Sequence, residues 1–180
     1  MREAGERMDF PSFTSIDATA EATTLPAQSV DFVTAGQAFH WFDQAQCRVE
    51  FSRILKPNGW VVIVWNDRQS EATPFLADYE KLMLEFGTDY KEACHRRTDK
   101  PEVIRAFFGR DLRFKSYYNV QQFDFEGLEG RVLSSSYAPE AGQPKHEEML
   151  TALKQIFESR QKNGFVDFEY DTHVYYGHLA

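Results

Sequence analysis

The residues best suited to chemistry lie in one aromatic segment, Phe39-His40-Trp41-Phe42. The imidazole of His40 has an ordinary pKa of about 6.5, so it can act as a general base, although a lone histidine also serves as a structural hydrogen-bonding group. The indole of Trp41 can stack on a flat ring or face a positive charge. We expect His40 and Trp41 to face a site, and Phe39 and Phe42 to belong to the core.

The residues before this segment form a strand that ends in small side chains. Val30–Ala35 is predicted to be the strand, and Gly36 and Gln37 follow it. Ligands of open α/β sheets bind beyond the carboxyl ends of the strands, where small residues let the backbone approach closely. Ala35 and Gly36 are therefore candidates for ligand contact, or they only form a tight turn.

The cysteines and one arginine give weaker indications. Two cysteines, Cys47 and Cys94, make neither a disulfide framework nor a four-ligand zinc site, and the adjacent Cys94-His95 pair is incidental. No metal centre is predicted. Arg68 follows an apolar strand and can meet an acidic substrate or form an ordinary surface salt bridge.

The elements that must position these residues alternate strand and helix in the first half of the chain. Phe13–Ile16 and Trp60–Trp65 are further predicted strands, the second buried on both faces because no polar residue interrupts it. A helix is predicted to begin after its N-cap Asp43 and to be ended by a turn at Lys56–Gly59.

In the second half, helices and strands are predicted from apolar periodicity and from local start and stop signals. Thr73-Pro74 begins a helix that Gly87 ends. The chain is predicted to be α/β with a mixed sheet edge. The remaining elements are the end of a charged helix over residues 1–9, a short helix around 103–108, a strand over 113–123, helices over about 126–136 and 146–162, and a half-buried antiparallel strand over 166–176.

Composition narrows the class of function. The chain has 180 residues, 15% aromatic side chains and a formal net charge of −8, which suits one folded domain. An acidic chain is poorly suited to nucleic acid or to an anionic membrane surface, because lysines and arginines must neutralise phosphates. The N-terminus has no signal-peptide pattern and no apolar run can span a bilayer, so we expect a cytoplasmic protein. The composition does not exclude a small-molecule substrate.

Several segments, in the right order and spacing, resemble the type 11 methyltransferase domain of the class I S-adenosylmethionine (SAM)-dependent methyltransferases. These segments are Ala18–Pro26, Ser29–Ala35, Gly36–Phe42 and Phe51–Trp60. The resemblance implies a Rossmann-like sheet, SAM as cofactor, and methyl transfer to a small molecule. Trans-aconitate-type carboxyl methyltransferases carry a similar Trp-containing segment, which implies a carboxylic acid acceptor.

The resemblance also implies roles for residues at the strand end. In the family, the carbonyl at this position faces the amino group of the methionine part of SAM. That role passes to Ala35, with Gly36 and Gln37 beside it. Trp41 then supplies an aromatic wall, and His40 is the candidate catalytic base.

A second implied contact lies in the loop that reads Gly-Asp-Ala-Glu in relatives and holds the adenine. Here the loop is Ala18-Thr19-Ala20-Glu21. Thr19 stands in place of the acid; its hydroxyl can accept a hydrogen bond but carries no charge, so the contact is expected to be weaker. Ala20 supplies the backbone contact, and Glu21 either touches the cofactor or braces the loop.

Two parts of the family's pattern are not found in this sequence. It contains no Gly-x-Gly segment, and no acidic strand end for the ribose hydroxyls. The family's strand order is 3-2-1-4-5-7-6, which makes Phe13–Ile16 strand 3 and Val30–Ala35 strand 4, with the first two strands lacking. We therefore expect one incomplete, N-terminally truncated domain, with residues 1–66 as the remaining cofactor half and 67–180 as the substrate side.

Two functions follow from these observations. The first is SAM-dependent methyl transfer to a small acceptor. The second is a non-catalytic methyltransferase remnant that acts as an interaction module. The bare edge expected at strand Val30–Ala35 favours self-association in either case.

Overall fold

A computed structural model of the chain describes residues 10–91 and 101–179 and contains a four-stranded sheet. The predicted helix end at residues 1–9 and the pair Cys94-His95 lie outside the described residues. The sheet has the order β1-β2-β4-β3. Its strands are β1 (Val30–Gly36), β2 (Leu55–Arg68), β3 (Arg113–Phe123) and β4 (Val166–Gly177).

The helices begin where the sequence places polar caps. Asp43 Oδ1 accepts a hydrogen bond from the amide of Gln46 at 3.0 Å, and Thr73 Oγ1 accepts one from Leu76 at 3.2 Å, as the two capping patterns predict. The helices are α1 (Gln44–Ile54), α2 (Pro74–Phe86), α3 (Pro101–Phe108), α4 (Phe125–Leu133) and α5 (His146–Arg160), with short 3₁₀ helices at Phe39–Trp41 and Gly109–Asp111.

Strands β1 and β2 run parallel. Gln28 donates to the carbonyl of Arg53 at 2.9 Å, and Ser29 donates to the next carbonyl along, so the partner number rises with the residue number. The Asp31–Lys56 ion pair keeps the same offset of 25 residues. Helix α1 makes the crossover that a parallel pair requires.

Strand β4 runs antiparallel to both of its neighbours. On the β2 side, Trp60 meets the ring of Tyr176, whereas Asn66 Oδ1 accepts a hydrogen bond from Thr172, so the partner number falls as the residue number rises. Against β3, side-chain pairs follow the same descending order. The sheet is therefore mixed, as predicted, and its order is the one that the resemblance implies for strands 4-5-7-6.

The predicted strand Phe13–Ile16 is wrong. These residues have no regular structure, and Phe13 and Ile16 are exposed. The amide of Phe13 instead bonds to the carbonyl of Phe10 at 2.9 Å, which closes a turn with Pro11 at its second position. A short β-prone segment becomes a strand only where a neighbour supplies hydrogen bonds, and no strand in the described residues pairs with this one.

Two predictions for the region of β2 also need correction. The stretch Lys56–Gly59 does not turn the chain, because α1 ends at Ile54 and β2 begins at Leu55, already paired with β1. Asn58 has φ of 64°, and a Cβ at Gly59 would lie 3.1 Å from the carbonyl oxygen of Asp31. The strand itself accommodates the Asn-Gly pair.

The run Trp60–Trp65 is fully buried on one face only. Val61, Ile63 and Trp65 are buried, whereas the alternate residues are half-buried. A run without polar residues shows that neither face lies freely in water. It does not show how deeply each face is covered.

The chain divides into two compact units. The first comprises the described residues of Met1–Ile63, Glu102–Arg113 and Tyr176–Ala180, and the second comprises those of Val64–Pro101 and Phe114–Tyr175. The first packs Phe39 edge-on against Phe107, which also meets Phe51. In the second, α5 packs on α2 and α4, and the core includes Tyr79, Leu128, Met149 and Phe168.

No helix in the described part of the chain has both the length and the apolar character needed to cross a membrane.

Candidate functional site

Strand β1 ends in a backbone arrangement that leaves room beside it. Ala35 is buried, whereas Gly36 is exposed, and a Cβ added to Gly36 would meet no atom within 4 Å. The left-handed conformation lies one residue later, at Gln37, with φ of 53°. Such a conformation in a residue other than glycine costs on the order of 1 kcal/mol and is concentrated at ligand sites. A tight turn therefore does not require Gly36, and the space beside it can admit a ligand.

The 3₁₀ helix that follows β1 separates the aromatic segment into a buried and an exposed part. Phe39 is buried, with its ring 4.7 Å from that of Phe107, as predicted for a core residue. Phe42 is half-buried. Trp41 is 62% exposed, and its ring lies 4.9 Å from the half-buried ring of His40. The indole is thus held on the surface by a helix whose first residue is anchored in the core.

The loop with Thr19, Ala20 and Glu21 forms a tight reversal that is tied to the start of α1. Thr19 and Ala22 form an isolated β-bridge, and Glu21 Oε1 accepts a hydrogen bond from the amide of Asp43 at 3.0 Å. This amide bond is the main reason that the pKa of Glu21 is lowered, and the side chains of Thr19 and Cys47 lower it further. Glu21 therefore braces the loop, which was one of its two predicted roles.

A second carboxylate fixes the same loop further along. Glu50 is buried on α1 and accepts hydrogen bonds from the amide and hydroxyl of Thr23, at 2.8 and 2.5 Å. The guanidinium of Arg53 donates to both carboxylate oxygens, each at 2.7 Å. The bonds from Arg53 and then from Thr23 lower the pKa of Glu50 to about 2. The loop is thus attached to α1 by two ionised side chains.

Cys47 lies beneath this loop, and its thiol is unreactive at neutral pH. Its side chain is fully buried in α1. Burial, followed by the charge of Glu21, raises the pKa of the thiol to about 12. The thiol stays protonated at neutral pH, so it is a packing group and not a nucleophile.

These contacts bring the two predicted parts of the cofactor site together. The Glu21–Asp43 bond joins the loop with Thr19, Ala20 and Glu21 to the residue two positions after Trp41. The bond therefore connects the segment of Thr19, Ala20 and Glu21 to the segment that follows the end of β1 and the 3₁₀ helix. The sequence did not predict this contact between the loop and the start of α1. Its signals in the sequence were the acidic residue Glu21 and the helix-capping residue Asp43.

Arg68 is more buried than the surface salt bridge that was one of its two predicted roles. Its Nη2 pairs with Glu80 Oε2 and donates to the Tyr90 hydroxyl at 2.6 Å, and the side chain is only 13% exposed. Its guanidinium also lies 4.8 Å from the ring centre of Tyr79. Arg68 therefore forms a largely buried ion pair in the second unit and not a surface salt bridge.

Comparison with known proteins finds methyltransferases among the proteins similar to this chain. A type 11 methyltransferase family model, described as a methyltransferase domain, matches residues 1–63. An uncharacterized methyltransferase of Schizosaccharomyces pombe is 26% identical over 169 residues, covering 92% of this chain and 66% of its own length. One from Mycobacterium tuberculosis is 40% identical over 150 residues, covering 83% and 58%.

A solved structure of similar fold comes from Anaeromyxobacter dehalogenans and is named as a type II methyltransferase. It matches with a TM-score of 0.66 and 19% identity, over 94% of this chain and 73% of its own. The family model over residues 1–63 and the relatives thus make this chain similar to the methyltransferases, and the solved structure shows the same fold. The chain spans about three fifths to two thirds of the length of the curated relatives it matches.

Proposed function

We propose that the protein takes part in SAM-dependent methyl transfer to a small molecule, and that its first unit holds part of the cofactor. The observation that supports this most directly is the end of β1, where an open space beside Gly36 precedes the exposed indole of Trp41. A polar cofactor with a flat base and a sulfonium needs both features.

The residues present fit two parts of SAM. Trp41 would cover the adenine or the sulfonium, and Thr19 and Ala20 would meet the adenine edge. Glu21 keeps one carboxylate oxygen on Asp43 and would contribute mainly by holding the loop. The carbonyl of Ala35, with Gly36 and Gln37 beside it, would receive the amino group of the methionine part.

When bound, SAM supplies a methyl group on a positively charged sulfur. We assign the base role to His40, whose ring lies beside that of Trp41. A carboxylate acceptor would need no base, because it is already ionised at neutral pH. In that case the chain's contribution is to align the acceptor and to exclude water. We propose a small carboxylic acid as the acceptor, as in trans-aconitate methyl transfer.

The test follows the Trp41 indole and the Gly36 amide by NMR during titration of the 180-residue chain with millimolar SAM. We expect both signals to be among the most strongly shifted, and Trp41→Ala to weaken binding. Tyr118→Ala is the matched control, since Tyr118 is equally exposed but lies on β3. Shifts confined to the second unit, or equal affinity in the Trp41 variant, would remove this site from the proposal.

The alternative function is a non-catalytic interaction module. It is favoured by the position of β1 at the edge of the sheet and by the 61% exposure of Phe32 on that strand. The two functions separate on one measurement. Methyl transfer from labelled SAM to any small acid supports the enzyme, whereas stable self-association without SAM binding supports the module.

A further inference from the structure

Arg131 is a second arginine of the second unit, and its positive charge has no carboxylate partner in the described chain. Arg131 lies on α4 and is half-buried, and its guanidinium lies 5.7 Å from the ring centre of the fully buried Phe168. Its Nη2 donates to the Tyr170 hydroxyl at 3.1 Å. Its Nε is buried and has no hydrogen-bond acceptor within the described chain. Of the guanidinium nitrogens, Nη2 therefore has a protein acceptor, whereas the buried Nε has none in the described chain.

Arg68 in the same unit also has a buried Nε without an acceptor in the described chain, but it differs from Arg131 in having an anionic partner. Its charge is matched by Glu80, and the Tyr90 hydroxyl bridges the pair by donating to Glu80 Oε2 at 2.6 Å. No carboxylate within residues 10–91 and 101–179 pairs with Arg131 in this way. The aromatic cluster of Tyr79, Phe168 and Tyr170 therefore borders two guanidiniums and one paired carboxylate.

A cation in this position lacks a partner of opposite charge. Burying even part of a guanidinium without an anion has a cost, and a cation–π contact with one neutral hydrogen bond offsets only part of it. A guanidinium has a flat, forked set of donors that matches the two oxygens of a carboxylate. The Tyr170 hydroxyl beside it, already accepting from Arg131, can donate its own proton to the same anion.

We infer that Arg131 and Tyr170 bind a carboxylate group of a small-molecule ligand in the second unit. That this ligand is the methyl acceptor rests on the function proposed above. The binding of the carboxylate itself does not.

The experiment measures binding of trans-aconitate to the 180-residue chain by calorimetry, without SAM. We expect binding by the acid, at least about tenfold weaker binding by its neutral trimethyl ester, and a loss of about tenfold or more in Arg131→Met. Arg160→Met is the matched control, because Arg160 lies in the same unit but is already paired with Asp78. Its affinity should equal that of the unaltered chain.

A second readout does not depend on calorimetry. The acid should raise the Tm of the unaltered chain and of Arg160→Met, but not that of Arg131→Met. If circular dichroism shows that Arg131→Met does not fold, Arg131→Lys replaces it as the test variant. Lysine keeps the positive charge but lacks the forked donors of the guanidinium, so this variant should bind the acid more weakly than the unaltered chain.

Four results would overturn the inference: no binding of the acid at millimolar concentration, equal binding of acid and ester, unchanged affinity in both Arg131 variants, or tighter binding of inorganic phosphate than of the acid. Carboxylate binding through Arg131 without any methyl transfer would leave the inference standing and count against the proposed function alone.

Discussion

At the scale of single residues, Glu50 fixes the loop that contains Thr23. It is one of the few buried charged residues in the described chain, and it receives hydrogen bonds from Thr23 and Arg53. An ionised acceptor in this setting forms stronger hydrogen bonds than a neutral one. The sequence shows an ordinary glutamate on a helix, so its role follows only from the contact between residues 27 positions apart.

Replacing Glu50 by Gln should lower the free energy of unfolding by about 1–3 kcal/mol, because Arg53 loses its counter-ion and Thr23 keeps a weaker acceptor. Chemical denaturation of the variant measures this change. Glu158→Gln, an exposed change on α5, should leave stability within about 0.5 kcal/mol of the original. An equal effect in both variants would show that the contacts of Glu50 carry no special stability.

The same residue gives the chain a defined response to acid. The pKa of Glu50 is lowered from 4.5 to about 2 in the folded state. A carboxyl with a depressed pKa stabilises the fold above its unfolded value and loses that contribution as pH falls through its folded value. The stability difference between the unaltered chain and Glu50→Gln should therefore be full above about pH 5 and shrink between pH 4.5 and about 2. Denaturation series at several pH values would show a constant difference if Glu50 were not responsible.

At the scale of elements, β1 has an edge that no strand in the described part of the chain covers. It lies at one end of the order β1-β2-β4-β3, and Phe32 projects from it into solvent. Unpaired backbone groups on an exposed strand bind other strands readily.

We expect the 180-residue chain to self-associate in a concentration-dependent way, and Phe32→Lys to reduce the association, because a lysine on an edge strand opposes pairing. Light scattering over a concentration series measures both. Tyr118→Lys tests the opposite edge strand, β3, and should have little effect. A monodisperse unaltered chain would contradict the prediction, and a larger effect of Tyr118→Lys would place the association on β3.

Local signals explain which elements the sequence could predict. Helix α2 has its cap at Thr73, proline at the first turn and Gly87 after its last residue, so its bounds needed no tertiary information. Strand Phe13–Ile16 failed for the opposite reason, since strand formation depends on a distant neighbour. The hydrogen bond between Arg131 and Tyr170 could not be predicted from the sequence either, because α4 and β4 lie about 40 residues apart along the chain.

At the scale of the whole molecule, the sheet has the family's order but the sequence has no Gly-x-Gly segment to hold the methionine and ribose of SAM. Each missing hydrogen bond is worth about 0.5–1.5 kcal/mol, and more when charged. Three or four of them correspond to roughly a hundredfold in affinity.

Calorimetry of the 180-residue chain should therefore show SAM binding about a hundredfold weaker than in a methyltransferase that carries the glycine-rich loop. S-adenosylhomocysteine should also bind about as weakly as SAM, because the two molecules share the adenine and amino-acid contacts. Micromolar binding by this chain would show that the remaining contacts suffice, and that the loop matters less than its prevalence in the family implies.

The position of β4 has a consequence for how the chain reaches its native state. It is the last strand of the described chain, yet it lies between β2 and β3. The β1–β2 pair closes over 25 residues, whereas the Asn66–Thr172 contact closes over 106. Non-local pairing is slow because loop-closure entropy is lost before the contacts form. During synthesis, β2 and β3 therefore leave the ribosome with their facing edges open, and the nascent sheet depends on its final strand to fill its own middle.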